Sequence, residues 1–400
     1  MATHYLGLDS STQSLSAVLI RTDTVGPASV VWEHRIVFDE ELPHYGTRNG
    51  VLPREDPAVA VAPPAMWAEA LERMFEALAA SGADLSQLAA VSGSAQQHGS
   101  VYLNAAAAAV LARLDPSRAV TEQLMPLEQH VPSRGAGGES PSDEPSPGWG
   151  QGRPGIFSRP VSPIWMDAST SAECAEISAA FGGPERLARA TGSRAFERFT
   201  GPQIRKFAKH DPAGWAATAR VHLVSSFMAS LLAGGHAPLD PGDASGMNLM
   251  DLRTRDWSVA ALAATTPDLA ARLPPIVPSH TMIGVLSPYW RKRFGLPAAR
   301  LVAWSGDNPC SLIGTGLVRE GRIAVSLGTS DTLFGLMHEP RVDTGGTGHV
   351  FGAPTGDWMG LTCFLNGSLA RQRIRDQHDL ETGTASPPRC APRPPAMAAP

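Results

Sequence analysis

Four hundred residues with thirty-three Lys and Arg against thirty-eight Asp and Glu carry a formal net charge of −5. That mild acidity argues against a nucleic-acid or anionic-membrane partner, since both need a basic surface, and 43% hydrophobic residues suit a folded chain with room for two domains. Four scattered cysteines (Cys174, Cys310, Cys363, Cys390) offer neither a disulfide framework nor a zinc ribbon, and neither a leader after Met1 nor a spanning apolar run is visible, so a cytoplasmic protein is expected.

In chain order, Tyr5–Asp9 and Leu15–Ile20 read as two strands joined by the polar turn Asp9-Ser-Ser-Thr-Gln13. Residues 65–80 place Met66, Leu71, Met74, Phe75 and Leu78 near one helical face, with Gly82 just beyond. Leu88–Ser92 is a short apolar strand ending at Gly93. Residues 132–160 hold no apolar period and are rich in Gly, Pro and Ser, so a disordered insertion is expected there. Ser169–Phe181 and His222–Ala233 read as helices, each stopped by a pair of glycines. Arg300–Trp304 and Arg322–Ser326 read as strands leading into glycine-rich turns, and the Pro-rich tail from Thr382 closes no recognisable element. The alternation of strand and helix favours an α/β architecture.

Five loops could carry chemistry. The first turn supplies a carboxylate at Asp9 with hydroxyl and backbone N–H donors at Ser10, Thr12 and Gln13. Such a turn can hold a phosphate and a Mg²⁺ ion, or be an ordinary polar hairpin turn. A second apolar strand, Gly/Thr/Ser turn and strand at Ile323–Phe334 repeats the arrangement more than 300 residues later, with Gly328 and Thr329 in the turn. Two such units suggest similar halves gripping a nucleotide's phosphates from opposite sides. Asp307, directly after a strand and beside Asn308 and Pro309, is placed to take a proton from a substrate hydroxyl, although Gly-Asp-Asn-Pro is also simple turn chemistry. Gln96-Gln97-His98-Gly99 and the Arg194–Arg198 loop offer neutral and cationic groups for a polyhydroxylated substrate; a structural histidine and an exposed salt-bridged loop are the plain alternatives.

Together these segments resemble the FGGY family of carbohydrate kinases, and within it the animal-type xylulose kinases. Gly7-Leu-Asp9-Ser-Ser-Thr-Gln13 and Ser326-Leu-Gly-Thr-Ser330 are similar to its two phosphate hairpins. Gln96-Gln-His-Gly99, Pro163-Ile-Trp-Met-Asp167, Arg194-Ala-Phe-Glu-Arg-Phe-Thr-Gly201, Ser245-Gly-Met-Asn248 and Gly306-Asp-Asn308 recur in the family's order. The resemblance implies an α/β, actin-like ATPase fold of two ribonuclease-H-like domains around a cleft, the second incomplete. Residues 1–131 and 161–300 would form the N-terminal sugar-binding domain, 132–160 a disordered insertion, 301–375 the start of the nucleotide domain and 376–400 an unrelated tail. It further implies ATP and Mg²⁺, with D-xylulose or a similar small sugar as acceptor. Sugar contacts would fall on His98, Arg198, Asp307 and Asn308, with Asp307 as catalytic base. Phosphate contacts would come from Ser10, Thr12, Gln13, Gly328 and Thr329, with Asp9 near the metal. Another sugar kinase of the family, or a sugar-binding chain without turnover, are the alternatives. An incomplete second domain would also leave Val325, Leu327, Leu333, Phe334 and Phe364 partly exposed.

Overall fold

The computed structural model describes residues 3–23, 26–125, 155–327, 331–364 and 367–378. Strand β1 (Thr3–Ser10) turns Leu6 and Leu8 inward, and β2 (Ser14–Thr22) answers with Leu15, Ala17 and Leu19. The period of two puts these side chains on one face, so burial and hairpin register reinforce each other. β3 (Ser29–Val37) continues the antiparallel run. Helix α1 (Pro64–Ala80) covers this sheet with fully buried Met66, Trp67, Leu71, Met74, Phe75 and Leu78. It starts one residue before the expected position, on a proline that needs no helical N–H partner.

β4 (Leu88–Ala95) lies parallel to β1, and β5 (Ser100–Asn104) leaves the sheet to pair elsewhere. Helices α2 (Ser171–Phe181), α3 (Pro184–Thr191) and α4 (Thr200–His210) follow. β6 (Thr218–Leu223) pairs antiparallel with β5 and runs directly into α5 (Val224–Ala233). His222 is therefore a strand residue and not the start of a helix. The alternation Arg220-Val-His-Leu finds a partner strand, and the Ser226 hydroxyl, accepting the Leu223 N–H at 3.1 Å, caps the helix two residues later than expected.

β7 (Met282–Val285), β8 (Arg300–Val302) and β9 (Ser305–Gly306) complete a seven-stranded sheet in the order β7-β8-β4-β1-β2-β3, with β9 also on β4. β1, β4, β8 and β9 are parallel, so their C-terminal ends emerge at one edge. Ser94 of β4 is in register with Asp9 on one side and Ser305 on the other. α6 (Asp307–Gly314) starts at that edge. Further on come β10 (Ile323–Ser326), β11 (Asp331–Met337), β12 (Gly348–Gly352), β13 (Trp358–Phe364) and α7 (Gly367–Gln377).

Contacts divide the chain into one unit of residues 1–324 and 334–362, and another of 325–333 and 363–400. The first unit thus runs past the boundary expected at residue 300, because β8 and β9 belong to its sheet, α6 packs against β9 and β4, and the antiparallel β12–β13 hairpin shares its second core. That core joins Tyr102, Val221, Leu223, Ile204, Phe207, Met247 and Leu249 to Val350 and Trp358.

Residues 155–160 likewise belong to the fold and not to an insertion. Ile156 is fully buried, its carbonyl accepts the Asn104 N–H at 2.8 Å, and Ser158 donates to the Tyr102 carbonyl at 3.0 Å. The rest of the expected insertion, 132–154, and the tail from 379 lie outside the described residues. In the second unit α7 carries Arg371, paired with Asp331. Val325, Leu327, Leu333 and Phe364 are exposed at 54%, 66%, 37% and 51%, as expected, whereas Phe334 is buried.

Candidate functional site

The shared strand edge brings together groups that are hundreds of residues apart in sequence. Asp9 is the penultimate residue of β1, Gln97 and His98 follow β4, and Asp307 and Asn308 open α6. Asp307 Oδ1 accepts the backbone N–H of Asn308 at 2.8 Å and of Gln97 at 3.3 Å. Burial first, and then the negative charge of Asp9, push its carboxyl up to about 7. Such a group is poised to change protonation near neutrality, as a general base must. Behind it lie Asp243 and Asp240, both fully buried. Burial, reinforced by the charges of Asp240 and Asp307, pushes Asp243 far above the usual carboxylate range.

Gln97 is the residue that fixes this corner, a role its motif did not announce. Its Oε1 accepts from Asn308 Nδ2 at 3.0 Å and its Nε2 donates to the Gly242 carbonyl at 3.2 Å. Asn308 Nδ2 also donates to Asp307 Oδ1 at 3.1 Å, so its two amide hydrogens are committed and its Oδ1 is left for another donor. A Cβ on Gly306 would stand 2.3 Å from Gln97 Cγ, which explains the glycine ahead of the aspartate.

His98 sits at φ 70°, rare for a residue with a side chain, and its Nδ1 bonds the Gly246 carbonyl at 2.8 Å. Nδ1 therefore carries the proton and Nε2 is an acceptor. Burial drives the ring's pKa down to about 3, so it is neutral at pH 7. Phe199 packs against it at 4.6 Å between ring centres. Arg198 lies over Trp165 and Phe196, at 5.5 and 5.6 Å from the ring centres, while Arg194 is tied to the Thr344 carbonyl at 2.7 Å. Of the two arginines, Arg198 is the one in the aromatic cluster with Phe199. Trp165 in turn donates to Thr12 Oγ1 at 2.8 Å, joining the first turn to this cluster.

In the first turn, Ser10 is fully buried with its hydroxyl unpartnered, so the groups open to a ligand are those of Ser11, Thr12 and Gln13. Gly328 and Thr329 lie outside the described residues. Asp9 accepts from Ser94 Oγ at 2.6 Å and from Ser11, and borders a cavity of about 330 Å³ lined also by Gly7, Ser16, Ser92, Gly93 and Cys310. Among the described residues no group of three or more His, Cys, Asp or Glu could hold a metal ion. A single carboxylate beside hydroxyls fits Mg²⁺, which keeps most of its waters and takes remaining ligands from phosphates, better than a metal needing an all-protein cage.

Residues 159–314 match the N-terminal domain of the FGGY family of carbohydrate kinases. The chain is 41% identical over 375 residues to a xylulose kinase of Mus musculus, covering 93% of this chain and 62% of that protein. A xylulose kinase 2 of Arabidopsis thaliana is 41% identical over 381 residues, 93% of this chain and 61% of that one. The structure superimposes on a xylulose kinase from Rhodospirillum rubrum with a TM-score of 0.72 at 18% identity, covering 96% of this chain and 64% of that one. A Brucella ovis kinase gives 0.71 at 23%, over 94% and 64%. Over residues 159–314 the chain is thus similar to the N-terminal domain of that family, and it has the α/β fold of these solved kinases in part. It spans about 62% of the length of the curated relatives it matches.

Proposed function

We propose that this chain holds the sugar site of an ATP-dependent xylulose kinase, which moves the γ-phosphate of ATP to the 5-hydroxyl of D-xylulose. The observation that carries the reading is the meeting of Asp307, Asn308 and His98 at one strand edge, beside Asp9 and the first turn. Asp307 takes the proton from the attacking hydroxyl, and Asn308 Oδ1 and His98 Nε2 accept from others. Arg198, stacked on Trp165 and Phe196, donates to a carbonyl or hydroxyl oxygen. The groups facing the substrate other than Asp307 and Arg198 are neutral, which suits an uncharged polyol. Ser11, Thr12 and Gln13 would face the phosphates. Asp9 would hold Mg²⁺ through water, and the ion, when bound, neutralises the phosphate charge. Little covalent work is asked of the protein; positioning and charge compensation dominate.

A calorimetric titration with D-xylulose and its deoxy analogues, paired with ATP consumption on the same preparation, tests this. D-xylulose should bind better than each analogue, because a missing hydroxyl leaves buried polar groups unpaired. Equal affinity across the series refutes the sugar site. Binding without ATP consumption supports the second reading, a sugar-binding chain without turnover.

A further inference from the structure

His349 lies on β12, about 250 residues from His98, yet both rings pack on Phe199, at 5.2 and 4.6 Å between centres. It reaches that place by backbone pairing and not by a wandering loop: the Val350 N–H donates to the Gly192 carbonyl at 3.0 Å, clamping β12 onto the segment that leads to Arg194 and Arg198. Its Nδ1 hydrogen-bonds Ser193 Oγ at 3.1 Å. Among the described residues its Nε2 has no bonding partner, although the ring is only partly open to solvent. Phe196, whose ring lies under Arg198, stands 5.7 Å from it, and Phe351 stacks at 5.9 Å. His98, Arg198 and His349 are close enough to act on one another's charge.

An imidazole with one nitrogen bonded to the scaffold, the other unspent, and aromatic faces on several sides is built to meet a hydroxyl. Burial pushes its pKa down to about 4, so at pH 7 it stays neutral beside the guanidinium instead of repelling it. We infer that His349 is a further sugar-contacting and specificity-determining residue, reading one hydroxyl of the acceptor through Nε2 alongside His98 and Arg198. The inference rests on the sugar-kinase reading above and adds a residue from β12 to a site otherwise drawn from β4, β9, α6 and the Arg198 loop.

The test is a calorimetric titration of D-xylulose and its deoxy series into the parent chain, His349→Phe, His349→Gln and, as comparison, His98→Phe. His349→Phe should bind D-xylulose about five- to tenfold more weakly, the usual worth of one neutral hydrogen bond. It should lose nothing toward the one analogue that lacks the hydroxyl His349 reads. His349→Gln, which keeps a donor and an acceptor, should recover part of the loss, and it serves alone if the phenylalanine variant does not fold. An equal loss for every sugar would assign His349 to packing and overturn the inference, as would unchanged affinity in both His349 variants while His98→Phe fails to bind. If the parent binds no sugar at all, the sugar-site reading itself falls and the inference with it.

Discussion

Replacing Asp307 by Asn offers a test that needs no turnover. The buried carboxyl is pushed up to about 7 from an ordinary 3.8, so the folded chain holds a proton that the unfolded chain releases between those values. Stability from this group is complete below the unfolded value and is lost as pH rises through about 7. At roughly 1.4 kcal/mol per pH unit the whole window is worth about 4 kcal/mol, of which between 2 and 3 kcal/mol falls between pH 5 and pH 8. Asn keeps the Oδ1 that accepts the Asn308 and Gln97 N–H groups but cannot ionise. Urea unfolding of parent and variant at pH 5 and pH 8 therefore yields a difference of differences. The variant should lose about 2–3 kcal/mol less than the parent over that range, and other titrating groups cancel between the two proteins. Parallel pH dependence within about 0.5 kcal/mol would show that Asp307 ionises freely in water, and the argument for a tuned base would fail. In a chain that turns over, the same substitution should lower kcat about 10²–10⁴-fold, and the parent's rate should rise with pH through about 7.

His98 and His349, held down to about 3 and 4 by burial, should show no titration between pH 5 and pH 8 in side-chain NMR. His338, raised by its bond to Asp357, should titrate above its usual 6.5, and a His98 signal moving near 6.5 would mean its ring is wet. Gly306→Ala forces a Cβ to within 2.3 Å of Gln97 Cγ and should destabilise by about 1–3 kcal/mol; an unchanged urea midpoint would contradict that packing. Trp165→Phe removes the bond to Thr12 and shrinks one of the two rings beneath Arg198. It should weaken D-xylulose binding about five- to tenfold in a direct titration, with the unfolding midpoint little changed, and unaltered affinity would place Trp165 outside the site.

Local patterns in the sequence determined a good deal. Alternating apolar residues specify the β1–β2 hairpin and its Asp9 turn, a helical stripe specifies α1, and the strand ends before His98 and Asp307 follow from short apolar runs closed by glycine. These depend on neighbours a few residues away, so one chain suffices to read them. Other elements needed a partner that sequence cannot supply. His222 became a strand residue only because β5 was there to pair with β6, and Ile156 joined the core through Asn104 and Leu124 despite lying in a Gly- and Pro-rich stretch. The site shows the same division. Asp307 and Asn308 are legible as a candidate pair, but the register that sets Asp9 and Ser305 on either side of Ser94 decides that one carboxylate feels the other. Desolvation of Asp307, the commitment of Gln97 to Asn308, and the delivery of His349 to Phe199 all come from contacts between distant segments. Strand register and burial are properties of the assembled sheet, and only the tertiary structure holds them.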